Sequence, residues 1–229
     1  MTAGAGKVRV QRGKREDLDV AAVDFAVAEL SAAVARSGRA FLGLPGGRSI
    51  TGILEGMKMA RLPWESVHIF LADERRVPID SIDSNYREIS ELMLVPTPHG
   101  QALPKDHLHP CASDAAAYSA QFSRIASRFD LLLLGVGEDG HVASLFPGHP
   151  GLATTGRYFI DVDDSPKPPK RRISASPALV QRSGAIVLLF YGEEKQNAFA
   201  RFMDPQILET DCPAKIAGSC ENLLVLTDG

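Results

Sequence analysis

Short apolar runs alternate along the chain with longer amphipathic stretches, and this alternation predicts an element order. "KVRVQ" reads as extended chain, and "REDLDVAAVDFAVAELSAAVAR" keeps apolar residues at helical spacing up to the stop signal Ser37-Gly38. "RAFLGL", "SVHIFLA", "FDLLLLG", "GAIVLLFYG" and "NLLVL" are apolar without alternation, the pattern of strands covered on both faces. Between them, "SITGILEGMKMAR", "DSNYREISELML", "SDAAAYSAQFSRIASR" and "EEKQNAFARFM" predict helices. Asp83 or Ser84 is expected to cap the second of these and Ser113 the third. "RYFIDV" and "RISASP" predict short strands, "PALVQRS" a turn of helix, and "DERRVP" a turn. Helices separating doubly covered strands predict an α/β fold, with a mostly parallel Rossmann-like sheet and helices on both faces. The expected layout is a single domain over residues 1–229, with residues 1–6 a flexible N-terminus.

Composition narrows the class. With 45% hydrophobic and 23% charged residues the chain reads as a soluble globular protein, and a net charge of −3 disfavours a surface built for nucleic acid. No apolar run reaches the ~20 residues that span a bilayer, and the start lacks the apolar stretch of a secretory signal, so the expected location is the cytoplasm. Cys111, Cys212 and Cys220 are odd in number and form no C-x-x-C pair, which predicts reduced thiols. His99, His107 and His109 lie in a Pro-rich connection with no further ligand spaced to complete a site, so no metal is expected there.

Four loops follow the buried strands, at the edge where ligands bind in such sheets. Their residues are 45–49, 73–78, 135–144 and 192–195. The third contains G-x-G-x-x-G at Gly135, Gly137 and Gly140, the spacing of a dinucleotide-binding turn. That motif needs a helix opening at its last glycine, yet "HVASLFPGHPGLATTG" follows, and Glu138 and Asp139 stand where a pyrophosphate would arrive. The same residues suit a tight cradle presenting Asp139 and His141, an imidazole able to accept a proton beside a carboxylate that fixes its tautomer. A plain turn with a capping aspartate and an exposed histidine stands as the alternative.

In "LPGGRSITG", Gly46, Gly47, Arg48 and Ser49 precede a helix and make a phosphate-sized nest, or else a plain strand-to-helix turn. Lys195 opens the helix after Gly192, where positive charge opposes the helix dipole unless an anion is shared. "KPPKRRIS" reads as a solvated basic linker, except that Arg172 starts a strand and can point inward. Asp73, Glu74, Arg75 and Arg76 form either surface ion pairs or a polar wall.

Taken in order, "LPGGRS", "LADERRVPIDSIDSNY", "LLLLGVGEDGHVASLFPG", "KPPKRRIS" and "YGEEK" resemble segments of the 6-phosphogluconolactonase family, within the larger group that includes glucosamine-6-phosphate deaminases. "DGH" followed by small residues and "LFPG" is the most specific match. The deaminase relatives carry an Asn-Glu-Pro stretch there, and Leu145-Phe146-Pro147 offers no such acid. The resemblance implies hydrolysis of 6-phospho-D-glucono-1,5-lactone without metal or organic cofactor. It implies His141 as general base oriented by Asp139, and Arg75 or a glycine-loop N–H as oxyanion donor. The 46–49 nest, Arg172 and Lys195 are implied to hold the phosphate, with Asp73 and Gly137 among the substrate-binding positions. The expected partner is a small sugar-phosphate lactone, with no nucleic acid and no membrane, in a monomer or small homo-oligomer.

Rival expectations are a glucosamine-6-phosphate deaminase or isomerase, with Asp73 as base, and a non-catalytic sugar-phosphate sensor. About fifteen residues precede the first long helix, too few for the DNA-binding module of such a sensor. Ser144 is an alternative covalent nucleophile, though no nucleophile elbow surrounds it.

Overall fold

In the computed structural model, residues 7–96, 102–111 and 113–229 are described. The expected flexible segment 1–6 and His99 lie outside them. The described elements are β1 (Lys7–Arg12), α1 (Arg15–Ser37), β2 (Ala40–Leu44), α2 (Thr51–Met59), β3 (Val67–Leu71), β4 (Asp73–Arg75), α3 (Asn85–Met93), β5 (Leu108–His109), α4 (Ala115–Ser123), β6 (Leu131–Gly135), β7 (Phe159–Val162), β8 (Arg172–Ala175), α5 (Pro177–Gln181), β9 (Ala185–Phe190), α6 (Gln196–Met203) and β10 (Asn222–Thr227).

The doubly apolar runs form the middle of a parallel seven-stranded sheet, in the order β1-β10-β9-β6-β2-β3-β5. Side chains alternate between two cores, as the pleat dictates. Leu132, Leu134, Ile186 and Leu188 enter one, while Leu131, Leu133, Val187 and Leu189 enter the other. Gly43 lets β2 approach β6, since a Cβ there would come within 2.5 Å of the Leu132 side chain. α1 buries Leu18, Ala22, Phe25, Ala26, Leu30 and Ala33 along one stripe. It ends at Gly38, whose φ of 76° lets its N–H reach the Val34 carbonyl. Among the described residues no helix is long and apolar enough to cross a membrane, and none of the cysteines is in a disulfide.

A second sheet, antiparallel and in the order β4-β8-β7, was not foreseen. "DERRVP" therefore does not simply turn: Asp73, Glu74 and Arg75 pair with Ser174, Ile173 and Arg172. Buried Glu74 accepts from Ser84 Oγ at 3.1 Å and from the backbone N–H groups of Asn85 and Tyr86, both at 2.8 Å. It thus holds the start of α3, which Ser84 also caps through the Arg87 N–H. Burial pushes the Glu74 carboxyl above its ordinary range, against the lowering effect of these backbone donors. The cap of α4 is Asp114 rather than Ser113, because its carboxylate accepts the Ala117 N–H at 2.8 Å. β5, hidden in the Pro-rich connection, is the remaining addition.

β5 explains the histidines of that connection. His109 on β5 meets His68 on β3, with 3.1 Å between ring nitrogens, and the rings of His68 and His107 lie 3.9 Å apart. Among the described residues no group of three His, Cys, Asp or Glu side chains is placed to hold a metal. Burial first, then the neighbouring imidazoles, lowers both His68 and His109 to a pKa of about 4. An unfolded imidazole titrates near ~6.5, so in that pH interval only the unfolded chain takes up these protons. Stability is therefore complete above ~6.5 and falls as the pH drops toward the folded values. The expected loss is on the order of 1 kcal/mol per histidine, allowing for solvent screening of half-exposed groups. Urea midpoints at pH 7 and pH 5 measure it, and a slope unchanged in His68→Gln would contradict it.

Candidate active site

β9, β6, β2 and β3 are consecutive neighbours and run parallel, so the loops after them emerge side by side. Those are the four loops expected from the sequence. They touch: a Cβ at Gly135, where β6 ends, would lie 2.9 Å from Ser49 Oγ in the loop after β2. Lys195 Nζ, after β9, lies 3.9 Å from Glu138 Oε1 in the loop after β6.

The loop after β6 folds back on itself. The Gly137 N–H donates to the His141 carbonyl at 2.8 Å, and the Gly140 N–H donates to the Gly137 carbonyl at 2.9 Å. Gly140, at φ 87°, and Ala143, at φ 49°, both occupy the left-handed region, a conformation the former adopts freely and the latter only under strain. No helix opens after Gly140; the next helical turn is the 3₁₀ segment Pro150–Ala153. A dinucleotide turn is thereby excluded, since no helix N-terminus faces the glycines.

Within this loop Asp139 and His141 form a pair, with 2.5 Å between Oδ1 and Nδ1. Burial alone would raise the Asp139 carboxyl. The His141 ring, the His141 N–H and the charge of Lys167 outweigh burial and hold it well below the usual carboxylate range. An ionised carboxylate only accepts, so Nδ1 carries the hydrogen and Nε2 presents its lone pair. Phe146 flanks the imidazole at 4.7 Å between ring centroids. Gly137 lies so close that a Cβ there would sit 2.0 Å from Nδ1. Arg201, on α6, donates to the Asp139 carbonyl at 3.0 Å and fastens the loop from below.

Asp73, Ser144 and Arg172 form a second, buried cluster. Ser144 Oγ, fully buried, donates to Asp73 Oδ2 at 2.7 Å, and Arg172 stands 3.8 Å from the same oxygen. Ser144 is not exposed for attack on a substrate, which removes the covalent alternative. Arg172 points inward as expected, but its donors are engaged: Nε to the Pro169 carbonyl at 3.0 Å and NH2 to those of Lys167 and Pro168 at 3.1 and 3.2 Å. Its side chain is only 7% exposed, which differs from an open phosphate ligand. Opposite it on β4, Arg75 donates to the Asp83 carbonyl at 2.8 Å and keeps a buried Nε without a partner. Arg76 instead turns to Asp161 and Asp163, at 3.4 and 3.8 Å.

The nest expected at 46–49 is also partly engaged. Gly46 packs against Asn85, whose Oδ1 would be 1.9 Å from a Cβ, and the Gly47 N–H donates to Glu88 Oε2 at 3.1 Å. One donor of the expected nest thus already faces a carboxylate, while Ser49 faces the loop of His141 and Arg48 is exposed. Lys195 lies between Glu138 and Glu194, at 3.9 and 3.8 Å. Arg201 carries no local signal, because its bond to the Asp139 carbonyl exists only in the fold, whereas Asn85 and Phe146 lie within "LADERRVPIDSIDSNY" and "LLLLGVGEDGHVASLFPG" with no role assigned to them there.

An acid–base pair and several cations on the carboxyl edge of a parallel sheet define an α/β protein suited to small anionic substrates. The family model "Glucosamine-6-phosphate isomerases/6-phosphogluconolactonase" matches residues 13–225. The 6-phosphogluconolactonase of Mycobacterium tuberculosis is 34% identical over 224 residues, covering 88% of this chain and 87% of that protein. That of Synechocystis sp. is 32% identical over 209 residues, covering 87% and 86%. The solved 6-phosphogluconolactonase from Trypanosoma brucei superposes with a TM-score of 0.80 at 25% identity, covering 97% of this chain and 97% of that one. The chain belongs to the glucosamine-6-phosphate isomerase/6-phosphogluconolactonase family.

Proposed function

We propose that this chain hydrolyses 6-phospho-D-glucono-1,5-lactone to 6-phospho-D-gluconate, the second step of the oxidative pentose phosphate pathway. The observation that carries this reading is the Asp139–His141 pair, closed at 2.5 Å beside the cation-bearing loops. The names of the curated relatives support the substrate.

His141 Nε2 takes a proton from water, and the resulting hydroxide attacks the lactone carbonyl. Asp139 holds the ring in that tautomer and stabilises the imidazolium as it forms. Charge then develops on the carbonyl oxygen. The Arg75 guanidinium, or an N–H of the glycine loop, is the donor we assign to it. When the ring C–O bond breaks, the imidazolium returns its proton to the departing alkoxide oxygen, which becomes a hydroxyl, and the new carboxylic acid releases one proton to solvent. The phosphate binds toward the cations and the 46–49 loop, and its remote binding energy holds the ring for attack. Asp73 is committed to Ser144 and Arg172, which leaves it poorly placed as the base of an isomerase.

Proton release on adding freshly generated lactone tests the reading, with the unphosphorylated lactone as comparison and spontaneous opening subtracted. Acceleration with marked preference for the phosphorylated compound is expected. Ammonia release from glucosamine-6-phosphate without lactone hydrolysis would refute it.

A further inference from the structure

The starts of β2 and β6 lie at the edge of the sheet opposite the four loops, because the two strands are parallel neighbours. There the Asp130 N–H, just before β6, donates to the Phe41 carbonyl at 2.8 Å, and Asp130 Oδ2 accepts the Phe41 N–H at 3.0 Å. Beside this junction is a hollow of about 480 Å³. Four arginines line it: Arg36 at the end of α1, Arg39 before β2, and Arg124 and Arg128 between α4 and β6. Asp130 is the one acidic residue among the described residues that line it. A strand of five residues such as β6 spans roughly 17 Å, which sets the hollow apart from the Asp139–His141 pair at the other end.

The charge gathered in the hollow is not balanced from within. Asp130 Oδ1 accepts Arg36 Nη2 at 2.8 Å, so its carboxylate is already shared between Arg36 and the Phe41 N–H. The guanidinium groups of Arg39, Arg124 and Arg128 make no ion pair or hydrogen bond among the described residues. Arg36 and Arg124 stand at the C-terminal ends of α1 and α4, where positive charge offsets the helix dipole. Arg39 and Arg128 lie outside both helices and have no such return. Arg39 rests over the Phe41 ring, 5.6 Å from its centre, which keeps its charge at the hollow. In a chain of net charge −3, four like charges around one hollow repel one another and work against the compact state until an anion neutralises them.

We propose that this hollow is a second anion site, separate from the candidate active site, which takes a small molecule carrying two or more linked phosphate groups. Guanidinium forks line it and no lysine does, and such forks pair bidentately with phosphate oxygens. The unpaired forks come from two segments, residue 39 and residues 124–128, so linked phosphates match them better than a single one. The volume falls within the ~300–1,000 Å³ of small-molecule sites. Inorganic tripolyphosphate and a nucleoside triphosphate share this chemistry, and Phe41 and Tyr158 in the lining add aromatic surface that suits the base of the latter. The site stands whether or not the chain hydrolyses a lactone.

Calorimetric titration of the protein with tripolyphosphate, magnesium-free ATP and orthophosphate tests it, in wild type, Arg39→Gln, Arg128→Gln, the double variant and Lys195→Met. Both polyphosphates are expected to bind wild type more tightly than orthophosphate does. Each arginine substitution weakens tripolyphosphate binding about tenfold, the scale of one lost charge-assisted contact, while lactone hydrolysis and the melting temperature hold steady. Lys195→Met leaves that binding unchanged, and 6-phosphogluconate does not displace tripolyphosphate. Equal affinities for the two polyphosphates identify the phosphate chain as the ligand, whereas tighter ATP binding adds the nucleoside. Absence of binding by both polyphosphates at millimolar concentration overturns the proposal, as does orthophosphate binding equally well. Binding that survives in the double arginine variant but falls in Lys195→Met, or that 6-phosphogluconate displaces, assigns the anion to the active-site cations and overturns it too. Should the double variant not fold, the single variants and the displacement experiment decide.

Discussion

His141→Ala lowers kcat/KM for enzyme-accelerated lactone hydrolysis about 10²–10⁴-fold, the usual worth of a positioned base, while binding of 6-phosphogluconate stays within a few-fold. The ring is largely buried against Phe146 in the loop after β6, so its removal leaves a small cavity at the rim of the sheet and lowers the melting temperature by only a few degrees. Asp139→Asn produces a comparable loss for a different reason. An amide beside Nδ1 no longer selects the tautomer with Nε2 free, although the shape of the pair survives. Near wild-type turnover by His141→Ala, after subtraction of spontaneous ring opening, would remove His141 as the base and leave the pair a structural clasp.

Different parts of this arrangement were legible in the sequence for different reasons. β2, β6 and β9 announced themselves because both faces are covered, so every position had to be apolar. Knowing those strands places the loops after them on one edge, which is why the 46–49, 135–144 and 192–195 segments could be grouped without coordinates. β4 was hidden for the opposite reason. Asp73 spends its carboxylate on Ser144 and Glu74 on the start of α3, so a largely buried edge strand is spelled entirely in charged residues. Its partner β8 lies about a hundred residues downstream, and no local pattern encodes such a pairing. The commitments of Arg172 were illegible in the same way, since its bonds to Pro169 are local but its contacts with Asp73 and Ser144 exist only after both sheets have formed.

Gly137→Ala is expected to cost about 10²-fold in kcat/KM with little loss of stability, a separation few glycine substitutions achieve. The backbone itself permits alanine, because Gly137 is not among the residues at positive φ. The obstacle is the catalytic pair: the new methyl carbon would stand 2.0 Å from His141 Nδ1 and 2.7 Å from Asp139 Oδ1, closer than any such contact can be. Asp139 holds the ring at one edge and Phe146 flanks it, so the imidazole has to swing outward and break the bond that sets its tautomer. A displacement of roughly 1 Å is enough for a loss of that size, since a general base must meet its water within hydrogen-bond reach. Gly140→Ala supplies the contrast. There φ is 87° and Cys212 Sγ would lie 2.8 Å away, so the expected penalty appears in the melting temperature as well as the rate. If Gly137→Ala retains full activity, the ring tolerates movement and Asp139 is not what fixes it for proton transfer. If it melts as early as Gly140→Ala, the glycine is there for the backbone turn, and its closeness to the imidazole is incidental.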